Sequence, residues 1–402
     1  MINQYLLGHK NEVTDGKKIW YVAELSGFVM EVDLFSKELK CLWKIPNSAG
    51  LCSYRSLFYY GYKLYVLPYY QGVIYVYDLY TNIYEKIEVK KQLELMGGIK
   101  RDKFLYIFGN KAEILKYNLE DKTITYIDVM LESSDLEDIC RYWFWTKAFV
   151  MDGCIYIPVS NSNIIVVLDR HDKISFLQLG DKAEKWILEN IQADSSGYKV
   201  IYCKGAVDKV RTYVSEYDLN GVLIEKRSIE EKYSYKVYPF VNAVWNENKW
   251  ICLPFGRNKV LLRDKKHDEI LFEINSGTKY LNDLIQGLFF CSVWIDDHIL
   301  CAIDQSRGSL IYINVNNFEV NYSCLEFKEN LQGLAGVIYQ DAMHFQAVLK
   351  EDKGLIDLKK VINYVCNKEN NHVDWKSQTK DDFQRKDVIY AKGNTIWSRT
   401  RW

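Results

Sequence analysis

Residues 60–89 read YGYKLYVLPYYQGVIYVYDLYTNIYEKIEV, and their pattern decides the fold. Leu64 to Leu67 and Val73 to Tyr77 are runs of the β-branched and aromatic residues that suit a pleated, buried surface. Asp78 to Asn82 supplies turn chemistry, and Ile83 to Val89 alternates apolar with charged side chains. The apolar run Ser56 to Tyr59 adds a fourth strand ahead of these three. A sheet of this kind has two apolar faces and cannot bury both alone, so the pattern predicts copies of itself stacked on either side.

Such copies recur through the chain. Related units span Asn11 to Ile45, Gly97 to Val129, Lys147 to Leu179, Asn190 to Ile229, Asn242 to Ile274 and Cys291 to Phe327. A further stretch, Gly336 to Leu358, aligns over its first half with the unit before it. Counting the opening stretch, eight copies at spacings of roughly 40 to 50 residues predict an all-β propeller of four-stranded blades. Eight blades are expected, with seven as the alternative. The propeller is assigned to residues 1–358, and 359–402 form a short, partly helical C-terminal tail that ends IWSRTRW. The segment Ile2 to Leu7 has strand character without a unit of its own. It is expected to complete the last blade beside Gly354 to Leu358 and so remove an exposed edge.

Two columns of residues punctuate the repeat. Between the first and second strands stand Asp15-Gly16, Gly61, Asp102, Asp152-Gly153, Ser196-Gly197, Glu247-Asn248, Asp296-Asp297 and Asp341. After the third strand stand Asp33, Asp78, Asn118, Asp169, Asp218, Asp264 and Asn314. Tight turns need residues that tolerate positive φ or bond their own backbone, so these carboxylates are turn-formers rather than catalytic acids.

The repeats resemble the kelch-like and related β-propeller superfamily. Met96-Gly97-Gly98 followed by Leu105-Tyr106-Ile107-Phe108-Gly109 is the stretch most similar to a kelch blade, whose signature is a double glycine ahead of an aromatic strand. The resemblance implies a fold and does not select an activity, because propellers host lyases, hydrolases, oxidases and binding scaffolds alike.

Composition narrows the function classes. The 52 basic and 53 acidic residues give a formal charge of -1, which offers no drive toward nucleic acid or an anionic membrane. No stretch approaches the ~20 apolar residues that span a bilayer. The ten cysteines form no CxxC pair and several lie within apolar runs. They read as reduced thiols of a cytoplasmic protein. The chain contains no GxGxxG, Walker, HExxH or GxSxG motif. His298 and His344 are offset in register, so no metal site is expected from the six scattered histidines, and no cofactor is called for.

The remaining candidates are loop residues. In a propeller, the links into each first strand and the loops from second to third strand surround one mouth of the central channel. Register assigns Arg55, Tyr69, Arg141, Trp143, Trp145, Lys147, Tyr238 and Arg257 to that rim. Arg, Tyr and Trp combine large contact area with a polar handle, the chemistry of interface hot spots. The densest stretch is RYWFWTK, residues 141–147. A non-catalytic scaffold that binds a protein or peptide partner is therefore expected. A carbohydrate-binding propeller, or a carbohydrate-active lyase or hydrolase, is the alternative. A glycosidase would need two carboxylates converging within about 5 to 10 Å.

Overall fold

The computed structural model describes residues 12–23, 27–46, 54–69, 71–90, 95–109, 112–129, 148–159, 161–204, 211–229, 240–246, 249–254, 259–264, 267–273, 289–296, 298–304, 309–317 and 319–327. Every regular element among them is a β-strand. The first sheet comprises β1 (Glu12–Thr14), β2 (Lys18–Ala23), β3 (Phe28–Asp33) and β4 (Glu38–Lys44). The second holds β5 (Tyr54–Tyr60), β6 (Lys63–Pro68), β7 (Val73–Asp78) and β8 (Tyr84–Glu88). The third holds β9 (Leu95–Arg101), β10 (Phe104–Gly109), β11 (Glu113–Asn118) and β12 (Ile124–Asp128). The fourth is β13 (Phe149–Met151), β14 (Cys154–Pro158), β15 (Ile164–Leu168) and β16 (Ile174–Gln178). Next come β17 (Ile187–Asp194), β18 (Gly197–Lys204), β19 (Arg211–Tyr217) and β20 (Leu223–Ile229). The sixth is β21 (Phe240–Asn246), β22 (Lys249–Pro254), β23 (Lys259–Asp264) and β24 (His267–Glu273). The last is β25 (Phe289–Trp294), β26 (Ile299–Asp304), β27 (Ser309–Asn314) and β28 (Val320–Cys324). Each is a meander of antiparallel neighbours, the topology of a propeller blade.

Burial explains the strand sequences. The second and third strands are apolar on both faces because both are covered: β2 is buried from Ile19 to Ala23 and β7 from Ile74 to Tyr77. Outer strands return to alternation, as in β8, where only Ile87 is buried among Tyr84, Glu85, Lys86 and Glu88. Covering comes from the neighbouring sheet. Trp20, Val22 and Val29 share a core with Leu57, Leu64, Val66 and Tyr75 of the second sheet. Tyr65 and Leu67 then meet Leu105 and Ile107 of the third, and Phe108 and Ile114 meet Ile155 and Val166 of the fourth.

The ring closes differently from expectation. Cys301, Ile303, Leu310 and Leu325 of the last sheet pack directly on Ile19, Tyr21, Phe28 and Met30 of the first. The Tyr312 hydroxyl donates to the Leu34 carbonyl across that junction at 3.2 Å. Beyond β28 the chain leaves its own sheet, and β29 (Glu326–Phe327) pairs in parallel with Glu38 and Leu39 on the outer edge of β4. Among the described residues the result is six four-stranded blades and one five-stranded sheet, neither the eight four-stranded blades expected nor the alternative of seven. The physical reason is that the apolar face of the first sheet is already covered by the last, which leaves no gap there for another. Gly336 to Leu358, Ile2 to Leu7 and the boundary at residue 358 lie outside the described residues.

The turn columns do what their chemistry requires. Asp33 Oδ1 accepts the Phe35 and Ser36 amides at 3.0 and 2.9 Å, and Asp78 Oδ1 accepts those of Tyr80 and Thr81 at 2.9 Å each. Asn118, Asp169, Asp218 and Asn314 hold the amide two residues onward in the same way. In the first column, Asp15 and Asp296 each accept two amides of their own hairpin.

The kelch-like double glycine has a packing role. A Cβ on Gly97 would lie 2.8 Å from the Phe108 ring, so glycine here lets the aromatic of β10 close over β9.

Two polar networks are buried here, one between sheets and one within a sheet. Arg101, at the end of β9, is 8% exposed and reaches into the fourth sheet. There its guanidinium donates to the carbonyls of Gly153 (3.3 Å), Leu168 (3.2 Å) and Asp169 (2.6 Å). It also pairs with Asp172, whose carboxylate accepts from the Tyr106 hydroxyl at 2.7 Å and from Lys116 at 2.5 Å. Removing one partner of such a network strands the others without water. Arg101→Ala is expected to destabilise the protein by about 3 kcal/mol, read as a lowered urea midpoint with unchanged m-value. Arg101→Lys recovers little of this, since one ammonium cannot reach three carbonyls and a carboxylate.

In the first sheet the buried Glu31 accepts from Lys18 (2.7 Å), Lys40 (3.0 Å) and the Trp20 indole (2.7 Å). Burial pushes its carboxyl up, but the three donors outweigh burial and hold it below the ordinary glutamate value of 4.5. A depressed folded value stabilises above the unfolded pKa and is lost as pH falls through the folded one. Glu31→Gln should therefore cost about 2 kcal/mol near neutral pH. The urea midpoints of mutant and parent should converge on acidification below 4.5; parallel curves down to pH 2 would refute the assignment.

Candidate functional site: the rim of the channel

The first strand of each sheet lines the centre of the ring: β5 lies beside β1 and β9, and β21 lies beside β17 and β25. Five of these innermost strands share one irregularity. Between Tyr54↔Pro68 and Ser56↔Leu67 the register skips, which leaves Arg55 as an extra residue in β5. The same skip isolates Met96 in β9, Glu189 in β17 and Val241 in β21. In β25 the shift falls between Phe289 and Ser292. Every one of these bulges sits opposite the end of the second strand, hence at the end of the strands where the second-to-third loops emerge. A bulge ends regular pairing and re-aims the chain, and bulges concentrate at barrel rims and binding sites. Nothing in the composition of these strands signals the skip; it becomes visible only when the cross-strand pairs are drawn.

Around this ring the links are held by buried side chains. Asn163, 2% exposed, donates through Nδ2 to the carbonyls of Leu179 (2.6 Å) and Lys182 (2.8 Å). Its Oδ1 accepts the Glu184 amide at 2.7 Å. The same link carries Trp186, which stacks on Tyr202 with centroids 3.9 Å apart, and Tyr202 stacks in turn on Tyr213 at 5.4 Å. Lys226 caps the stack, its ammonium 4.7 Å from the Tyr213 centroid. Glu184 is bound by Lys204 at 2.9 Å. Burial raises its carboxyl, yet the Lys204 and Trp186 donors bring it below the usual carboxylate range. This corner is a charge-compensated support for the link.

Between the first and second sheets the rim is tyrosine-built. The Tyr54 hydroxyl donates to the Val73 carbonyl at 3.2 Å and that of Tyr75 to the Pro46 carbonyl at 3.3 Å. Burial pushes both phenols up. Tyr69 follows β6 and is 3% exposed, so its ring is covered here and belongs to the packing of the loop. Of the other rim residues expected from sequence, Arg55 occupies the bulge of β5. Arg141, Trp143, Trp145, Lys147, Tyr238 and Arg257 lie outside the described residues. Among the described residues, no three His, Cys, Asp or Glu side chains are grouped to hold a metal, and no helix is long and apolar enough to cross a membrane.

Comparison with known proteins identifies the architecture. No known family profile and no curated protein matches the chain. Solved structures do match. Virginiamycin B lyase from Staphylococcus aureus is similar over 74% of this chain and 91% of its own, at 10% identity and a TM-score of 0.51. The Pan2 WD40 domain of Neurospora crassa is similar over 75% of this chain and 88% of its own, at 12% identity and a TM-score of 0.50. At such identities the likeness is one of fold: this chain is a β-propeller. The kelch-like character read from Gly97 and Gly98 has no counterpart in these matches.

Asn163 is the residue on which this rim link hangs. Asn163→Ala should cost about 2 to 3 kcal/mol by orphaning buried backbone groups. Hydrogen exchange should then speed up at residues 180–186 before it does in β14 or β15; uniform loss of protection would refute a local role.

Proposed function

We propose that the protein is a non-catalytic propeller that binds a protein or peptide segment across the mouth of its channel, in a reducing, cytoplasmic setting. One observation carries this reading. The bulges insert Arg55, Met96, Glu189 and Val241 as extra residues at the same end of four innermost strands, β5, β9, β17 and β21. A break in pairing repeated at one end of the innermost strands suits a ligand that lies across the mouth and meets several blades, as an extended peptide does. The repeat register puts the aromatic and basic residues 141–147 in a link on the same side, and Arg beside Trp in sequence is hot-spot chemistry. Glu184 and Asn163, the polar groups described on the rim, are occupied in holding the link and are not poised for chemistry. Cys41, Cys154, Cys203, Cys301 and Cys324 are free thiols, which supports a reducing compartment. A lyase is among the fold neighbours, and a carbohydrate ligand is the competing reading.

Selection of a random peptide library on the full chain tests the proposal. Enriched peptides are expected to bind with affinities that fall roughly tenfold or more in Arg55→Glu and Glu189→Lys. Peptides that bind parent and both variants alike, or a glycan array that gives the stronger response, would overturn it.

A further inference from the structure

The opposite end of the strands carries a second feature. There the turn joining first and second strands meets the turn joining third and fourth, through one hydrogen bond repeated from sheet to sheet. Leu34 N donates to Lys17 O, Leu79 N to Tyr62 O, Leu119 N to Lys103 O and Val315 N to His298 O, each at 2.9 Å. The bond ties the backbone of one residue of the first turn to the donor in the second, and the residue after the donor is its counterpart across the turns. In the third sheet this cross-turn pair is an ion pair, Lys103 with Glu120 at 2.9 Å. In the last it is His298 with Asn316. Those are solvated polar pairs of the ordinary kind.

The first two sheets break the pattern. The pair is Lys17 with Phe35 in one and Tyr62 with Tyr80 in the other. Phe35 is 94% exposed, Tyr80 89% and Tyr62 68%. Turn chemistry does not ask for them, since Asp33 and Asp78 secure their turns through backbone amides alone. Tyr62 also sits at a φ of 61°, after Gly61 at 57°. The fourth sheet makes the matching turn with Asp152 at 52° and Gly153 at 75°, placing glycine where the second sheet has tyrosine. A bulky residue held in the left-handed region costs free energy that glycine or asparagine would avoid. Three aromatics are thus kept in water, one of them at a backbone cost, on adjacent blades.

Charge around them points to the partner. Asp15 and Asp33 are fixed on the backbone amides of their own turns, and Glu85 is held by Lys63 and Lys122. Lys17 and Lys37, which flank Phe35, have no carboxylate within ion-pair distance among the described residues. Lys100 lies with its ammonium 4.8 Å from the Tyr60 ring centroid beside the second turn. We infer that Phe35, Tyr62 and Tyr80, with Lys17 and Lys37, form a second docking surface, on the far side from the channel rim, for an acidic linear segment of a partner protein that carries apolar side chains between its carboxylates. This surface stands independently of the rim reading.

The probe is a fluorescein-labelled peptide pool alternating Asp or Glu with Leu or Phe, titrated onto the full chain beside a pool with Lys and Arg in place of the acids. The acidic pool is expected to bind at least tenfold more tightly than the basic one. Binding should drop tenfold or more in Tyr62→Asn/Tyr80→Ser, and several-fold in Lys17→Glu/Lys37→Glu with a weakened salt dependence. Glu120→Ser, at the corresponding turn of the third sheet, should bind as the parent does. Tyr62→Asn alone should melt no lower than the parent, because it relieves the turn while removing the contact. Equal binding of the two pools, or no loss in the Tyr62/Tyr80 variant, would overturn the inference. So would co-sedimentation with phosphatidylserine vesicles in preference to either pool, which would make the aromatics a membrane contact.

Discussion

No sheet in this protein can stay dry by itself. The second and third strands are apolar on both faces, so each sheet is a slab whose two surfaces must both be covered, and only a neighbouring slab can do it. An open row would leave two faces wet at roughly 25 cal/mol for every Å² of apolar surface, and a ring leaves none. Closure is thus an energetic requirement of the strand sequences. The packing of Leu310 and Leu325 onto Tyr21 and Met30 is where it is met. Arg101 and Glu31 are tolerated in this dry stack because both terminal guanidinium nitrogens and both carboxylate oxygens find partners.

The division of labour between the ends of the strands follows from the same constraint. With the interior committed to packing, variation is confined to turns, links and bulges. At one end, side chains such as Asn163 fix the links and bulges interrupt the pairing of the innermost strands. At the other, aspartate-capped turns form rigid pedestals on which one residue per sheet is free to be anything. A pedestal that is stable whatever it carries lets the exposed side chain be chosen for contact alone.

Much of the fold was legible from residue order. The runs VIYVYD and FLYIFG announce strands buried on both sides, and Asp33, Asp78 and Asn118 mark the hairpins because a short acceptor side chain is what a tight turn needs. The number of blades was not legible. Residues 336–358 repeat the pattern of the unit before them, and local pattern says nothing about whether the face a further sheet would cover is already taken. The bulges were equally silent, since Arg55 or Glu189 as an extra residue is a matter of pairing and not of composition. Tyr69 shows the limit of reading loops as exposed: it sits at a loop position, and its ring is covered.

The pairing of β29 with β4 has a consequence for synthesis. The apolar face formed by Ile19, Tyr21, Phe28 and Met30 is made within the first seconds of the chain's life, yet its cover, from Cys301 to Leu325, is about 280 residues younger. At a ribosomal rate of about 5 to 20 residues per second, that face waits roughly 15 to 60 s with nothing of its own chain to rest on. The nascent protein is therefore most vulnerable at its oldest end, and a chain interrupted anywhere before residue 300 would carry this uncovered face for good.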